Sequence, residues 1–204
     1  MSKFQYRIEK KIGREIENFI PEIARLRIHV FREFPYLYDG SLEYETKYLQ
    51  TYLDNPHSFV ALAIIEESNG TERIIGASTG IPLNDEIEEI RDTFISHGLS
   101  LEEFFYFGES VLELPYRGKG IGKAFFQARE EYARGLGFQK TCFCAVIRPT
   151  HHPLRPKDYR PLDPFWTKLG YKRHPELTTK FSWKDIDKET EDKKELVFWI
   201  KEGD

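Results

Sequence analysis

The segment from Leu112 to Lys123 constrains the fold more than any other part of the chain. It begins as an apolar, strand-like run that reaches Pro115, and it continues as glycines alternating with basic residues before an amphipathic helix. Glycine lets the backbone turn tightly and approach a ligand closely. The first turn of a helix offers unpaired N–H groups and the positive end of the helix dipole. The sequence therefore predicts a strand–turn–helix unit whose turn binds an anion, most simply a phosphate.

Spacing excludes two common phosphate-binding motifs. A P-loop requires a hydroxyl residue after Gly-Lys, but Ala124 follows Gly122-Lys123, and Arg117 stands where the first glycine belongs. A dinucleotide-binding fingerprint requires its third glycine at the position of Lys123. The turn must therefore belong to another class of phosphate site.

The pattern that remains is [QR]-x-x-G-x-[GA], which here is Arg117-Gly118-Lys119-Gly120-Ile121-Gly122. The strand end ahead of it is Leu112-x-Leu114-Pro115-x-Arg117, and Pro164-Phe165-Trp166-Thr167-Lys168-Leu169-Gly170-Tyr171 follows later in the chain. Together and in this order, these segments resemble the L-x-V-x-P-x-[RQ], glycine-turn and F-Y-x-K-x-G-F motifs of the GNAT N-acetyltransferase superfamily. Outside them the resemblance lies only in the order of the predicted elements.

The resemblance implies an α/β (α+β layered) fold with a mixed, mostly antiparallel sheet flanked by helices. It also implies that acetyl-CoA, the cosubstrate, binds at a splay between the central strands. Backbone amides of the glycine turn would hold the pyrophosphate, and the strand backbone would pair with the pantetheine as an extra strand would. The basic side chains of the turn are further candidates for phosphate contacts. The expected cofactor-binding residues are Leu112, Leu114, Arg117, Gly118, Lys119, Gly120, Ile121, Gly122 and Lys123.

Acetyl transfer to an amine requires a base for the ammonium proton, and an acid helps the leaving thiolate. Glu109 is the candidate base because it is a charged residue in an otherwise aromatic and apolar strand, just before the cofactor-binding end. The alternative is a purely structural carboxylate. The family often uses the tyrosine of F-Y-x-K-x-G-F as the acid, but this chain has Trp166 there. Tyr159 is therefore the candidate acid, with Tyr106 or solvent water as alternatives.

The length of 204 residues predicts a single acetyltransferase domain over 1–204. Hydropathy patterning predicts helices and about seven strands, with a solvated turn over 184–194. The helices are expected at Ile16–Phe34 (restarting at Pro21), Ser41–Asn55, Asp85–His97, Ile121–Leu136 and Asp163–Leu169. The strands are expected at Phe4–Ile8, Ser58–Glu66, Arg73–Leu83, Phe104–Leu114, Gln139–Ile147, Leu177–Trp183 and Glu195–Lys201.

Composition limits the partners. Acidic residues outnumber basic ones by 34 to 30, which argues against a nucleic-acid partner. No apolar run is long enough for a membrane span and no signal peptide opens the chain, so a cytoplasmic protein without a membrane partner is expected. Cys142 and Cys144 lie two apart on a strand and should share one face as free thiols. Adjacent His151 and His152 lack well-spaced further ligands, so no metal is expected.

The acceptor pocket is expected between two segments. One is the connection of the first two helices, Phe34–Asp39, whose aromatic residues can stack on a substrate. The other is the proline-rich loop Arg148–Pro161, which either forms a rigid lip or is simply solvated. The sequence thus predicts an acetyl-CoA-dependent N-acetyltransferase that acts directly on a primary amine of a small molecule or peptide, as a monomer or a homodimer. The alternative is a catalytically silent acyl-CoA-binding regulatory domain.

Overall fold

A computed structural model describes residues 4–203 and arranges them as a sheet with helices on both faces. The helices are α1 (Ile20–Phe31), α2 (Leu42–Asp54), α3 (Glu88–Ser96), α4 (Ile121–Gly135) and α5 (Asp163–Lys168). The strands are β1 (Arg7–Ile12), β2 (Phe59–Glu66), β3 (Glu72–Pro82), β4 (Phe104–Tyr106), β5 (Ser110–Leu112), β6 (Lys140–Val146), β7 (Lys172–Trp183) and β8 (Asp192–Glu202).

The strand order is β1-β2-β3-β4-β6-β8-β7, and β5 pairs with β3 beside β4. Among the described strands, only β4 and β6 run parallel, and every other pair is antiparallel. The predicted mixed, mostly antiparallel sheet is therefore confirmed. Within residues 4–203 it has eight strands rather than about seven, because the predicted strand Phe104–Leu114 is two strands.

Each face of the sheet buries its own apolar cluster. One face carries Tyr106 and Cys142 and packs against α1, α2 and α3, while the other carries Phe105 and Phe143 and packs against α4 and α5. This alternation follows from the two-residue repeat of a strand. Cys142 and Cys144 lie on the same face as free thiols, as their spacing predicts.

Two helix-start signals in the sequence, Ser41 and Pro21, are confirmed. The Tyr44 backbone N–H donates to the Ser41 hydroxyl 3.3 Å away, so Ser41 caps α2 as expected. The predicted first helix instead begins as a 3-10 turn over Gly13–Phe19 and continues as α1 with Pro21 in its first turn. Within the described part of the chain, none of the helices is long and apolar enough to cross a membrane.

The predicted solvated turn over 184–194 is wrong at both ends. Asp185 and Lys194 are buried, with 2% and 6% of their side chains exposed. The charge of Asp185 is balanced by Lys194 and by Arg148, which the sequence assigns to a distant loop. Sequence charge alone therefore misjudged this segment, because the compensating ion lies far along the chain.

Candidate active site

The central feature of the sheet is a splay between β5 and β6. β4 pairs with β6 up to Tyr106 and Cys142, and the Phe107 backbone N–H then donates to the Cys142 carbonyl at 2.8 Å. Beyond this point, and within the described strands, β5 pairs only with β3 and the rest of β6 only with β8. The two neighbouring strands therefore separate and leave a gap between their facing edges.

Gly108 and Arg129 lie where the strands separate. A Cβ at Gly108 would collide with the hydroxyls of Tyr52 and Thr79, so this position favours glycine. From α4, the Arg129 guanidinium donates to the carbonyls of Thr79 at 3.2 Å and Glu109 at 3.1 Å. Burial lowers the pKa of Arg129 to about 10, which still leaves it cationic at neutral pH. A buried cation thus supplies additional hydrogen bonds to the backbone where the strand breaks.

The register of β5 turns part of its backbone toward the gap. Glu109 and Glu113 bond to β3, through Thr79 N–H to the Glu109 carbonyl and Glu113 N–H to the Ile75 carbonyl, both at 3.0 Å. In an antiparallel pair, alternate residues direct their backbone groups to opposite sides. The backbone groups of Leu112 therefore point away from β3, which is the orientation that an added strand requires.

The glycine turn, Arg117 to Lys123, lies at the mouth of the splay and leads into α4. Gly118 and Gly120 have φ angles of 75° and 91°, in the left-handed region that favours glycine. The Ala124 N–H makes the first intrahelical bond, to the Gly120 carbonyl at 3.1 Å. The amides of the helix's first turn are consequently available to an anion.

The basic side chains of the turn differ in their contacts. Arg117 donates from Nε to the Leu112 carbonyl at 2.9 Å and makes a two-point ion pair with Glu33 at 2.6 and 3.1 Å. Lys119 lies 4.3 Å above the ring of Phe4, and Lys123 is exposed. Arg117 thus links the turn to the end of α1.

Glu109 lies at the break between β4 and β5, and only 2% of its side chain is exposed. Its Oε2 is 2.5 Å from Nη1 of Arg27, without the alignment of a hydrogen bond. Arg27 also contacts Glu45, which is fully buried on α2. We call Arg27, Glu45 and Glu109 the buried charge cluster.

A chain of hydroxyls lies beside this cluster. The Tyr48 and Tyr52 hydroxyls are 3.4 Å apart, and the Tyr52 hydroxyl donates to Glu86 Oε1 at 3.1 Å. Burial raises the pKa of Glu86 to about 7, although hydrogen bonds from Ile87 and Tyr52 oppose the shift. Glu86 therefore exchanges its proton near neutral pH.

Tyr159 is half-buried in the loop after β6. Its ring packs edge-on against Phe34 at 4.6 Å, and Arg155 lies 4.8 Å above it. Burial raises the pKa of Tyr159, while Arg155 opposes that shift, so the hydroxyl keeps its proton at neutral pH. Tyr36 is close enough to sense both Tyr159 and Glu109, because the charges of both affect its pKa.

Trp166 lies on the other face of the sheet from Glu109. Its ring contacts Phe143 at 5.0 Å and Trp199 at 5.1 Å. The residue at the position of the family's tyrosine thus packs into an aromatic cluster.

The expected wall at Phe34–Asp39 is held by Arg148. The Arg148 guanidinium donates to the carbonyls of Pro35 and Tyr36 at 2.7 Å, and to both oxygens of Asp185 at 2.8 Å. Burial opposes ionisation of Asp185, but Arg148 and Lys194 lower its pKa overall. The start of the proline-rich loop is therefore a buried clamp, whereas His151 and most of the loop tip are exposed.

No group of three or more His, Cys, Asp and Glu side chains could hold a metal among residues 4–203. His152 accepts a hydrogen bond from the Leu154 backbone N–H, and its ring lies tilted against that of Phe34 at 5.8 Å.

Sequence reasoning missed Arg27, Glu45 and Arg129. Each lies four residues from a buried apolar residue of its own helix, such as Ile23, Leu49 or Phe125. A charge on the apolar stripe of a helix is the signal that would have found them.

Comparison with known proteins gives a consistent result. The model of the acetyltransferase (GNAT) family matches residues 23–156. A protein from Acinetobacter baylyi ADP1, proposed to be an acetyltransferase, has a similar structure, with a TM-score of 0.64, 13% identity, and 99% of this chain and 94% of that one covered. An acetyltransferase of the GNAT family from Streptococcus pneumoniae gives a TM-score of 0.57, 12% identity, and coverage of 97% and 99%.

A third structure is a GCN5-related N-acetyltransferase from Kribbella flavida, with a TM-score of 0.55, 14% identity, and coverage of 96% and 97%. At such low identities, these structures support the fold. No curated protein is similar enough in sequence to match the chain.

Proposed function

Because this chain belongs to the acetyltransferase (GNAT) family, we propose that it transfers an acetyl group from acetyl-CoA directly to a primary amine of a small molecule or peptide. The observation that carries the proposal is the splay between β5 and β6 with the glycine turn at its mouth. Family membership makes the chain an acyltransferase. The acceptor and the roles of individual residues are the proposed part.

The residues around the splay fit acetyl-CoA. Gly118 and Gly120 leave space for a close ligand, since an added Cβ at Gly118 meets nothing within 4 Å and one at Gly120 only the Tyr6 hydroxyl at 3.7 Å. Amides of the turn would hold the pyrophosphate, and the backbone of Leu112 and Leu114 would hold the pantetheine. When bound, acetyl-CoA supplies an acetyl thioester.

Glu109 would take the proton of the acceptor ammonium, directly or through one water. Its position at the edge of the splay supports this role, because the opening between β5 and β6 begins beside it. Before an acceptor binds, Arg27 balances the charge of this buried carboxylate. The backbone N–H of Leu112 points into the same gap and can stabilise negative charge there.

Tyr159 would hold the proton for the departing thiolate. Its raised pKa keeps the hydroxyl protonated, which is the form a general acid needs. Trp166 leaves this role open, because an indole N–H is not a useful acid. Tyr106 is a weaker candidate, since it is buried and its hydroxyl lies 3.2 Å from the Cys144 sulfur.

Direct transfer is supported by the state of Cys144. Burial raises the pKa of this thiol to about 12, so it stays protonated and is a poor nucleophile at neutral pH. An acyl-cysteine intermediate would require the thiolate.

One observation favours a second function, acyl-CoA binding without turnover. Trp166 fills the position of the family's acid and packs between Phe143 and Trp199. Such a protein would keep the glycine turn and the splay while lacking the proton donor.

Calorimetric titration with acetyl-CoA, followed by a free-thiol assay over a panel of amines, tests the proposal. We expect micromolar binding and amine-dependent thiol release. Binding without release from any amine would favour the second function. Absence of binding would overturn the role of the glycine turn.

A further inference from the structure

The buried charge cluster contains more negative than positive side chains. Glu45 and Glu109, 0% and 2% exposed, share the single guanidinium of Arg27. Glu86 adds a third carboxyl group through the hydroxyls of Tyr52 and Tyr48. Arg129, a second buried cation, approaches from the other face of the sheet and donates to neutral oxygens of the nearby backbone and of Ser110. The carboxylates therefore outnumber the cation that pairs with them.

Within the part of the chain that the structure describes, three of the four oxygens of Glu45 and Glu109 lack a hydrogen-bond donor. Among the described residues, Oε1 of Glu45 and both carboxylate oxygens of Glu109 are buried without a hydrogen-bond partner. Buried polar atoms are normally paired, and an unpaired carboxylate oxygen is especially unfavourable. A donor from outside the chain would satisfy these oxygens, and a cationic donor would also balance their charge.

Aromatic rings border the cluster on the side of the α1–α2 connection. Tyr48 faces the Arg27 guanidinium at 4.3 Å, and Tyr36 and Tyr38 are half-buried nearby. Burial and the negative charge of Glu45 raise the pKa of Tyr38. The Tyr38 hydroxyl therefore lies close to the Glu45 carboxylate. Aromatic faces attract cations, and tyrosine does so while tolerating water at its hydroxyl. The border therefore suits the entry of a cation.

We propose that the acceptor is a primary amine carrying a second positive charge, of which a short aliphatic diamine is the simplest form. Glu109 receives the reacting ammonium and Glu45 the remote one. Both carboxylates contact the guanidinium of Arg27, so they lie close to each other. A diamine with a short aliphatic chain can therefore span the distance between them. The inference rests on the proposed function and specifies its substrate class.

Three amines of matched chain length test the inference on the unmodified protein: 1,4-diaminobutane, 1-aminobutane and 4-aminobutanoate. Initial rates of thiol release at saturating acetyl-CoA give kcat/KM for each. We expect the diamine to exceed the monoamine by at least about tenfold, and the aminobutanoate to be the poorest acceptor. Equal values for diamine and monoamine, or a preference for the aminobutanoate, would overturn the inference.

Two variants connect the preference to the cluster. Glu45→Gln should lower the diamine-to-monoamine ratio of kcat/KM about tenfold, while the exposed Glu43→Gln on the same helix keeps the wild-type ratio. An unchanged ratio in Glu45→Gln would remove Glu45 from the site. If that variant fails to fold, the comparison of the three amines on the wild type still tests the inference.

The outcomes also separate this inference from the proposed function. Thiol release with other primary amines, but with none of the three matched ones, overturns the inference alone. Absence of release with every amine contradicts the proposed function itself.

Discussion

The two sides of the splay are built in different ways. The glycine turn is exposed, is made of consecutive residues and presents backbone amides. The buried charge cluster is almost entirely covered by protein, joins α1, α2 and the break before β5, and acts through side chains. A backbone site tolerates changes in its side chains but not in its φ angles, whereas a side-chain site depends on every partner. The two sides should therefore fail in different ways when mutated.

The largest effect is expected away from both, at the Arg148 clamp. Arg148→Met leaves Asp185 buried without its two-point partner, which should lower the free energy of unfolding by about 3–5 kcal/mol. Urea denaturation measures this. The control Glu72→Gln removes an ion pair whose side chains are 46% and 58% exposed, and should cost at most about 1 kcal/mol. Equal losses of the free energy of unfolding in the two variants would show that Arg148 stabilises the fold no more than an exposed ion pair does.

Glu109→Gln tests the side-chain half of the comparison. We expect kcat to fall about a thousandfold, most at low pH where the amine needs a base, with acetyl-CoA affinity unchanged. Glu113→Gln is the control, because Glu113 follows on the same stretch and loses comparable ion pairs, with Arg73 at 2.8 Å and Arg25 at 3.1 Å. A pH–rate profile with the wild-type shape in Glu109→Gln would exclude Glu109 as the base.

Gly120→Glu tests the backbone half. A side chain at a φ of 91° is strained, and its carboxylate would repel phosphate at the helix start, so acetyl-CoA affinity should fall at least about a hundredfold. Gly137→Glu imposes a similar strain at a φ of 92°, beyond the far end of α4. This control variant should bind acetyl-CoA with the affinity of the wild type. Calorimetry compares the two. Retained affinity in Gly120→Glu would refute the phosphate site.

Glu86, beside the buried charge cluster, should make the free energy of unfolding depend on pH. Its pKa rises from 4.5 to about 7 on folding, so the folded state holds its proton more tightly and loses this stability as pH rises from 4.5 through 7. The wild type should lose about 2–3 kcal/mol more than Glu86→Gln between pH 5 and pH 8. Urea denaturation at both pH values measures the difference. Parallel behaviour of the two proteins would show that Glu86 has an ordinary pKa.

The smallest effect is expected at Tyr159. Tyr159→Phe keeps the edge contact with Phe34 and removes only the hydroxyl, so kcat should fall about tenfold with acetyl-CoA affinity unchanged. Tyr44→Phe, at an exposed position of α2, is the control. An unchanged kcat in Tyr159→Phe would leave the proton to water or to Tyr106.

Much of the fold followed from local patterns, and the errors share one cause. Within the segment 104–114, Gly108 was not recognised as a break, because its role depends on the distant side chains of Tyr52 and Thr79, and Arg129 binds the backbone there from another helix. The charged run 184–194 likewise looked solvated because Arg148 is distant in sequence. Local pattern predicts elements well, but it does not show which distant side chain compensates a charge or a gap.

The sequence by itself determined the strand–turn–helix unit, the family resemblance and the alternation that puts both cysteines on one face. These depend on neighbouring residues, since turn geometry and strand alternation are local properties of the backbone. Only the tertiary structure decided where β5 leaves β6, which carboxylates share Arg27 and what holds the wall at Phe34–Asp39. Those features join residues far apart in the chain, and burial makes each charge depend on a partner that only folding brings near.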